Sequence, residues 1–231
     1  GIIIRVNSPG GGVVESAEIH DKIVEVKEVT GKPIYVSMGN TAASGGYYIA
    51  APADKIFAHA ATVTGSIGVI MENINFAELA DEYGIDFNTI KSGEYKDIMS
   101  SSRPMTEDEQ AILQTIIDDL YDDFVQVIVD GRGMSEETVR DIGDGRIYTG
   151  RQAEELDLID GIGSLDDTIA VMEEDHGLNN SQVVEYRVGF GLSELLGFTV
   201  QNVFKPDADL QGILNAIRDS GGPRAMYLYS R

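Results

Sequence analysis

The chain has 231 residues, 42% of them hydrophobic, which is enough to bury a core and a normal size for one α/β domain. Its 39 acidic residues outweigh 17 basic ones, and a net charge of -22 argues against nucleic acid and anionic lipid headgroups as partners. The absence of cysteine excludes a disulfide, a thiolate nucleophile and a cysteine-ligated metal, and the three histidines, His20, His59 and His176, stand too far apart in sequence to suggest a metal site.

The opening "GIIIRVN" reads as a buried strand, and no apolar run approaches the ~18 residues of a membrane span. A chain that starts mid-strand leads us to expect an N-terminal anchor and first elements upstream of residue 1. After "SPGGG" a helical pattern runs from Val13 to about Val29. "KPIYVSMG" is a second strand, followed by a short helix after Ser44, strand-like "DKIFAH" and the glycine-punctuated "TVTGSIGVIM". An amphipathic helix is expected near Phe76 to Tyr83, and another strand over "IDFNTIKSG". This alternation points to an α/β fold.

Thr106 and Glu109 then spell a capping box at the head of a long acidic helix reaching Asp130. Its apolar residues, from Ile112 to Ile128, keep helical spacing, which suits either a core helix or a contact with another copy. Shorter helices are expected at Ser135–Ile142, Gly150–Asp157 and Ser164–Glu174, with a late strand over "SQVVEYRV". We read residues 1–231 as a single catalytic domain in which 191–231 form a C-terminal extension. The extension carries a helix-like "DLQGILNAIRDS", stopped by two glycines and a proline, and ends in "RAMYLYSR" with no obvious packing partner.

Two stretches carry candidate chemistry. In "NSPGGGVVES" three glycines join a strand to a helix, which fits a phosphate cradle, a tight turn or an oxyanion hole; neither G-K-[ST] nor G-x-G-x-x-G is present. In "NTAASGGYYIA" one hydroxyl, Ser44, sits among Ala42, Ala43, Gly45 and Gly46, residues small enough to let a peptide backbone approach. Ser44 is either a helix cap or a nucleophile, with Gly11 and Gly45 as possible oxyanion donors. A nucleophilic serine needs a base, and no histidine stands where the pattern prefers one, although His59 is 15 residues downstream. Lys96, in "KSGEYKDIMSS", is the other candidate. A lysine base must be neutral to act, and the ordinary value of about 10.4 leaves only about 0.04% neutral at pH 7. Burial can shift a lysine that far, provided the nearby Glu94 and Asp97 point away.

The blocks "RVNSPGGGVVESAEIHDKI", "VSMGNTAASGGYYIAAPADKIFAHAATVTGSIGV", "IKSGEYKDIMSSSRPMTEDE" and "GRIYTGRQAEELDLIDGIGSLDDTIA" resemble, in order, the signal peptide peptidase A (SppA) family of serine proteases, over about three quarters of the chain. The resemblance implies an α/β, ClpP/crotonase-like fold of stacked β-α-β units. It implies Ser44 as nucleophile, Lys96 as general base, Ser66 as the residue that holds the lysine amine, and Gly11 and Gly45 as oxyanion donors. It implies no cofactor and no metal. Family members form dome-like homo-oligomers, tethered to the membrane with the catalytic domain outside the cytoplasm, and degrade remnant signal peptides. Gly10, Gly12, Gly65, Ile67 and Gly68 would then line the path of an extended substrate. A stomatin-partnered Ser-Lys membrane protease and a crotonase-like acyl-CoA enzyme or inactive ring scaffold are the other readings; the acidity of the chain weighs against CoA phosphates, and a scaffold would not need Ser44 and Lys96 together. The tail "GGPRAMYLYSR" is apolar and loose enough to occupy a substrate groove, its own or a neighbour's, as a self-substrate.

Overall fold

The structure, a computed structural model, describes residues 1–178, 181–186 and 225–228. The chain divides into two compact units, Gly1–Gly177 with Pro223–Arg231, and Leu178–Gly222. In the second unit residues 181–186 form no regular structure, so "SQVVEYRV" makes no strand there; Val183, Val184 and Tyr186 are exposed. A β-rich composition becomes a strand only where a sheet edge receives it. The last residues of that stretch, and the helix expected at 209–220, lie outside the described residues.

The first unit is built on a mainly parallel sheet centred on β3 (Ile34–Ala43). β1 (Ile2–Ser8) pairs with it in parallel along one edge, from Ile2 opposite Ile34 to Val6 opposite Met38. β4 (Lys55–Ala58) pairs with residues 35–37 and β5 (Val63–Gly65) with residues 41–43, both parallel. β7 (Gly161–Ile162) extends the sheet beyond β4 in parallel, and β6 (Ile147–Thr149) lies antiparallel to β5. Parallel neighbours need crossovers, and helices supply them. α1 (Val13–Thr30) links β1 to β3 and ends at Gly31, whose φ of 62° closes the helix through a bond to the Lys27 carbonyl. α2 (Gly45–Ala50) links β3 to β4.

The register of β1 on β3 breaks between Val6 and Ser8, where Ser8 comes opposite Ala42. β3 carries the surplus residues there, and the Asn7 side chain accepts a hydrogen bond from the Thr41 amide. This irregularity brings the glycine loop after β1 over the end of β3, where Ser44 begins α2. The core beneath is apolar: Val36, Met38, Ile56 and Ile128 surround the fully buried Tyr47, whose hydroxyl donates to the Leu158 carbonyl at 2.7 Å.

α3 (Ala77–Glu82) forms where expected, but residues 85–93 form no strand, and Ile85, Phe87 and Ile90 are exposed. Apolar alternation asks for cover, and among the described residues no strand provides it. A 3₁₀ turn, Glu94–Asp97, follows. α4 (Glu107–Arg132) opens with the capping box of Thr106 and Glu109 and closes on Gly133 at φ 66°. The core role is borne by its C-terminal half, where Phe124, Val125 and Ile128 are buried; Ile112 and Ile116 are exposed. α5 (Glu136–Ile142), α6 (Gly150–Glu155) and α7 (Leu165–Asp175) complete the helices among the described residues, each with a serine or threonine N-cap. Among the described residues no helix is long and apolar enough to cross a membrane.

Candidate active site

Ser44 sits at the turn from β3 into α2 with φ 53° and ψ -121°, a conformation that costs a non-glycine residue of order 1–3 kcal/mol. The surroundings impose it. The Ser44 amide donates to the Gly65 carbonyl at 2.8 Å, and the Ser44 carbonyl accepts from the Tyr47 and Tyr48 amides. Its hydroxyl does not cap α2. Ser44 Oγ is buried and has no hydrogen-bond partner, the single such side-chain atom among the described residues. A buried unpaired hydroxyl is costly unless something else engages it.

The small residues around it are small for steric reasons. A Cβ on Gly45 would lie 2.6 Å from Ser16 Oγ and 3.1 Å from the Gly11 nitrogen. One on Gly46 would lie 2.8 Å from the Ser8 carbonyl oxygen. Gly10, at φ 110°, leaves no room either: its Cβ would fall 2.0 Å from the Tyr227 carbonyl oxygen and 2.8 Å from the Gly45 nitrogen.

That oxygen belongs to the chain's own tail. β8 (Met226–Leu228) pairs antiparallel with β2 (Gly10–Gly12), Tyr227 opposite Gly11. The Val13 amide donates to the Ala225 carbonyl. Antiparallel ladders alternate, so Gly11 and Tyr227 form the next hydrogen-bonded pair and the Gly11 N–H faces the Tyr227 carbonyl. On its other edge, Met226 exchanges two hydrogen bonds with Ile70, at 3.0 and 3.1 Å. The tail is thus a strand laid in a groove between Gly10–Gly12 and Ile70, and one of its carbonyls sits beside the nitrogens of Gly11 and Gly45. The phosphate reading of the glycine loop gives way to this: the loop edge is occupied by backbone.

The Tyr227 side chain is fully buried. Its ring stacks on Tyr48 at 4.9 Å and tilts against Phe124 at 4.6 Å, and its hydroxyl donates to the Leu120 carbonyl at 2.9 Å. Sequence reasoning did not single out Tyr48, Phe124 or Ile70 as groove residues. Tyr48, four residues beyond Ser44 on α2, was the one available signal.

Ser66 follows Gly65, the residue that receives the Ser44 amide, and both have positive φ, 51° and 77°. A cavity of about 660 Å³ opens beside Ser66, with Asp118, Tyr121, Arg140 and Asp144 in its wall. Ile67, expected to line the substrate path, is fully buried in the core, and the strand partner on that side of the groove is Ile70. Gly65 faces the Tyr148 ring, and Gly68 lies beside Gly145.

Among the described residues no hydrogen bond joins Lys96 to Ser44. Lys96 is exposed on the 3₁₀ turn; its amide donates to the Gly93 carbonyl at 3.2 Å, and its side chain makes no hydrogen bond or ion pair with a described residue. The histidines are engaged elsewhere: His20 packs on Tyr48 and pairs with Asp21, His59 Nδ1 accepts from the Ala61 amide, and His176 lies against Tyr35. Among the described residues no cluster of histidine and carboxylate side chains could hold a metal.

Residues 27–179 match the model of peptidase family S49. A protein of Enterococcus faecium named as a signal peptide peptidase SppA is 39% identical over 240 residues, covering 99% of this chain and 68% of that protein. The chloroplastic serine protease SPPA of Arabidopsis thaliana is 30% identical over 228 residues, 96% of this chain and 33% of that one. Protease 4 of Haemophilus influenzae is 35% identical over 173 residues, 75% of this chain and 28% of that one. The chain thus spans between about a quarter and two thirds of the length of these relatives.

Proposed function

The chain belongs to peptidase family S49, with the ClpP/crotonase-like α/β fold of that family, and from this premise we propose a serine endopeptidase acting through a Ser44–Lys96 dyad. The observation that carries the reading is the tail strand: a peptide carbonyl held at Gly11 and Gly45, next to a buried serine hydroxyl without a partner. Neutral Lys96 removes the Ser44 proton, and Ser44 Oγ attacks the carbonyl carbon. The Gly11 and Gly45 N–H groups hold the oxyanion, where such donors are worth about 10²–10³ in kcat. Lys96 protonates the leaving amine, and water hydrolyses the acyl-enzyme.

Lys96 reaches its serine from a second copy of the chain. Ser44 Oγ lacks a hydrogen-bond partner among the described residues, Lys96 is exposed, and the segment before it displays Tyr83, Ile85, Phe87 and Ile90 to solvent. An apolar segment of that kind fits burial against a neighbour in a homo-oligomer. The cavity beside Ser66 is where the incoming amine would dock, with Ser66 orienting it. By the resemblance to the SppA family, and with one relative named as a signal peptide peptidase, the substrates are remnant signal peptides and other apolar, unfolded polypeptides, met at the membrane by a catalytic domain outside the cytoplasm. The groove supports extended, apolar substrates, since it holds β8 by backbone pairing and one buried side chain.

The tail is read as a self-substrate, with the Tyr227–Leu228 bond at the nucleophile. Mass spectrometry of incubated protein should show loss of residues 228–231, absent in Ser44→Ala. The main test is cleavage of an unfolded, signal-peptide-bearing polypeptide from about pH 6 to 10. Ser44→Ala and Lys96→Ala should each abolish it with the assembly intact. Full activity in Lys96→Ala would remove the dyad.

A further inference from the structure

The turn that carries Lys96 is held by a four-membered charge cluster. Asp97, the next residue, accepts hydrogen bonds from Lys91 Nζ at 2.6 Å and from Arg103 Nε and Nη2 at 2.9 and 2.7 Å. Arg103 Nη2 also donates to the Asp97 carbonyl, and Lys91 Nζ to the Glu94 carbonyl, so both cations clasp the turn's backbone as well as its carboxylate. Arg103 reaches on to Glu109, with Nη1 to Oε2 at 2.8 Å and Nη2 to Oε1, and Glu109 Oε2 also accepts from the Thr106 amide that opens α4. The Glu109 side chain is almost fully buried and that of Asp97 largely so. Between the two carboxylates the backbone turns at Met99, a buried residue at φ 60°, a strained geometry that persists only where the surroundings over-determine it.

The cluster sums to zero: Lys91 and Arg103 against Asp97 and Glu109. Asp97 is the carboxylate that would hold Lys96 protonated if it turned toward the amine. It is instead turned into two cations, and its carboxyl is held well below the ordinary range by their hydrogen bonds. We propose that Arg103, with Lys91, is a positioning element for the general base, withdrawing the Asp97 carboxylate from Lys96 and fixing the Lys96 turn to the head of α4. This rests on Lys96 being the base. Glu94 and Tyr95 share its turn. Asp118, Asp144 and Arg140 line the cavity where the amine would dock, and they are the same in every variant below.

The two ends of the clamp predict opposite shifts. Arg103→Met leaves Asp97 with Lys91 as its one cationic partner among the described residues, loosens the hold on it beside Lys96, and leaves the cluster one negative charge in excess. The acid limb of the kcat/KM profile should move up by about half a pH unit or more. Asp97→Asn removes the negative charge and keeps the shape, so the limb should move down by a similar amount. A purely structural role would lower kcat/KM in both without opposed shifts. The profiles are measured on the whole, assembled chain with an unfolded polypeptide substrate. Where turnover is too slow, the pH dependence of Ser44 acylation by a fluorophosphonate probe gives the same limb. Unmoved limbs, or limbs moving in the same direction, overturn the proposal while Lys96→Ala remains inactive. An active Lys96→Ala overturns instead the dyad on which it rests.

Discussion

At the scale of single residues, the site is made by exclusion. Gly10, Gly45 and Gly46 are glycine because a Cβ would strike, respectively, the tail carbonyl, Ser16 and the Ser8 carbonyl. Gly10→Ala should therefore lower kcat/KM by about 10²-fold or more, because the methyl occupies the space of the substrate carbonyl and the backbone sits at φ 110°. Circular dichroism melts on the same variant should show a folded protein, which separates the steric effect from unfolding. Tyr227 makes the complementary case. Tyr227→Ala removes a fully buried ring from between Tyr48 and Phe124, and should speed cleavage of an added polypeptide by freeing the groove. Steady-state rates at low substrate would show it; an unchanged KM would argue that the tail does not compete.

Among elements, α4 and the turn before it have a common foundation in Thr106, Glu109 and Arg103. Thr106→Ala removes one half of the capping box and should cost about 1 kcal/mol in denaturant unfolding. Glu109 gives a pH dependence of definite sign. Hydrogen bonds from Arg103, then from the Thr106 backbone, lower its carboxyl from 4.5 to about 2. The stability it contributes is fully present above its ordinary value and is lost as pH falls toward 2. The melting temperature of the parent should drop more steeply below about pH 4.5 than that of Glu109→Gln, which has no proton to take up there. Parallel curves would mean that the ion pair contributes little.

For the whole molecule, the lack of a hydrogen-bond partner for Ser44 Oγ among the described residues is the feature with the widest consequence. If Lys96 acts in trans, Ser44→Ala and Lys96→Ala chains, each inactive alone, should recover activity when unfolded together and reassembled. With random mixing about a quarter of the sites would pair an intact serine with an intact lysine. No recovery in verified mixed assemblies would place the base within the same chain. Much of this molecule was legible in its sequence. The strand-loop-helix order around "SPGGG" and "AASGG", the capping box of α4 and the short helices with their serine and threonine caps are local. They follow from hydrophobic period, turn chemistry and backbone hydrogen bonding within a few residues. The serine among small neighbours was local too, since a close backbone approach requires a missing Cβ wherever the chain folds. What only the tertiary structure decided was partnership. The β-rich residues 85–93 and 181–186 carry strand composition but form no strand, because pairing needs an edge that composition cannot supply. Conversely, Met226–Leu228 becomes a strand because β2 and Ile70 offer it two. That Asp97 turns away from Lys96 depends on Arg103 and Glu109 arriving from beyond the turn, a matter of geometry that sequence spacing does not encode.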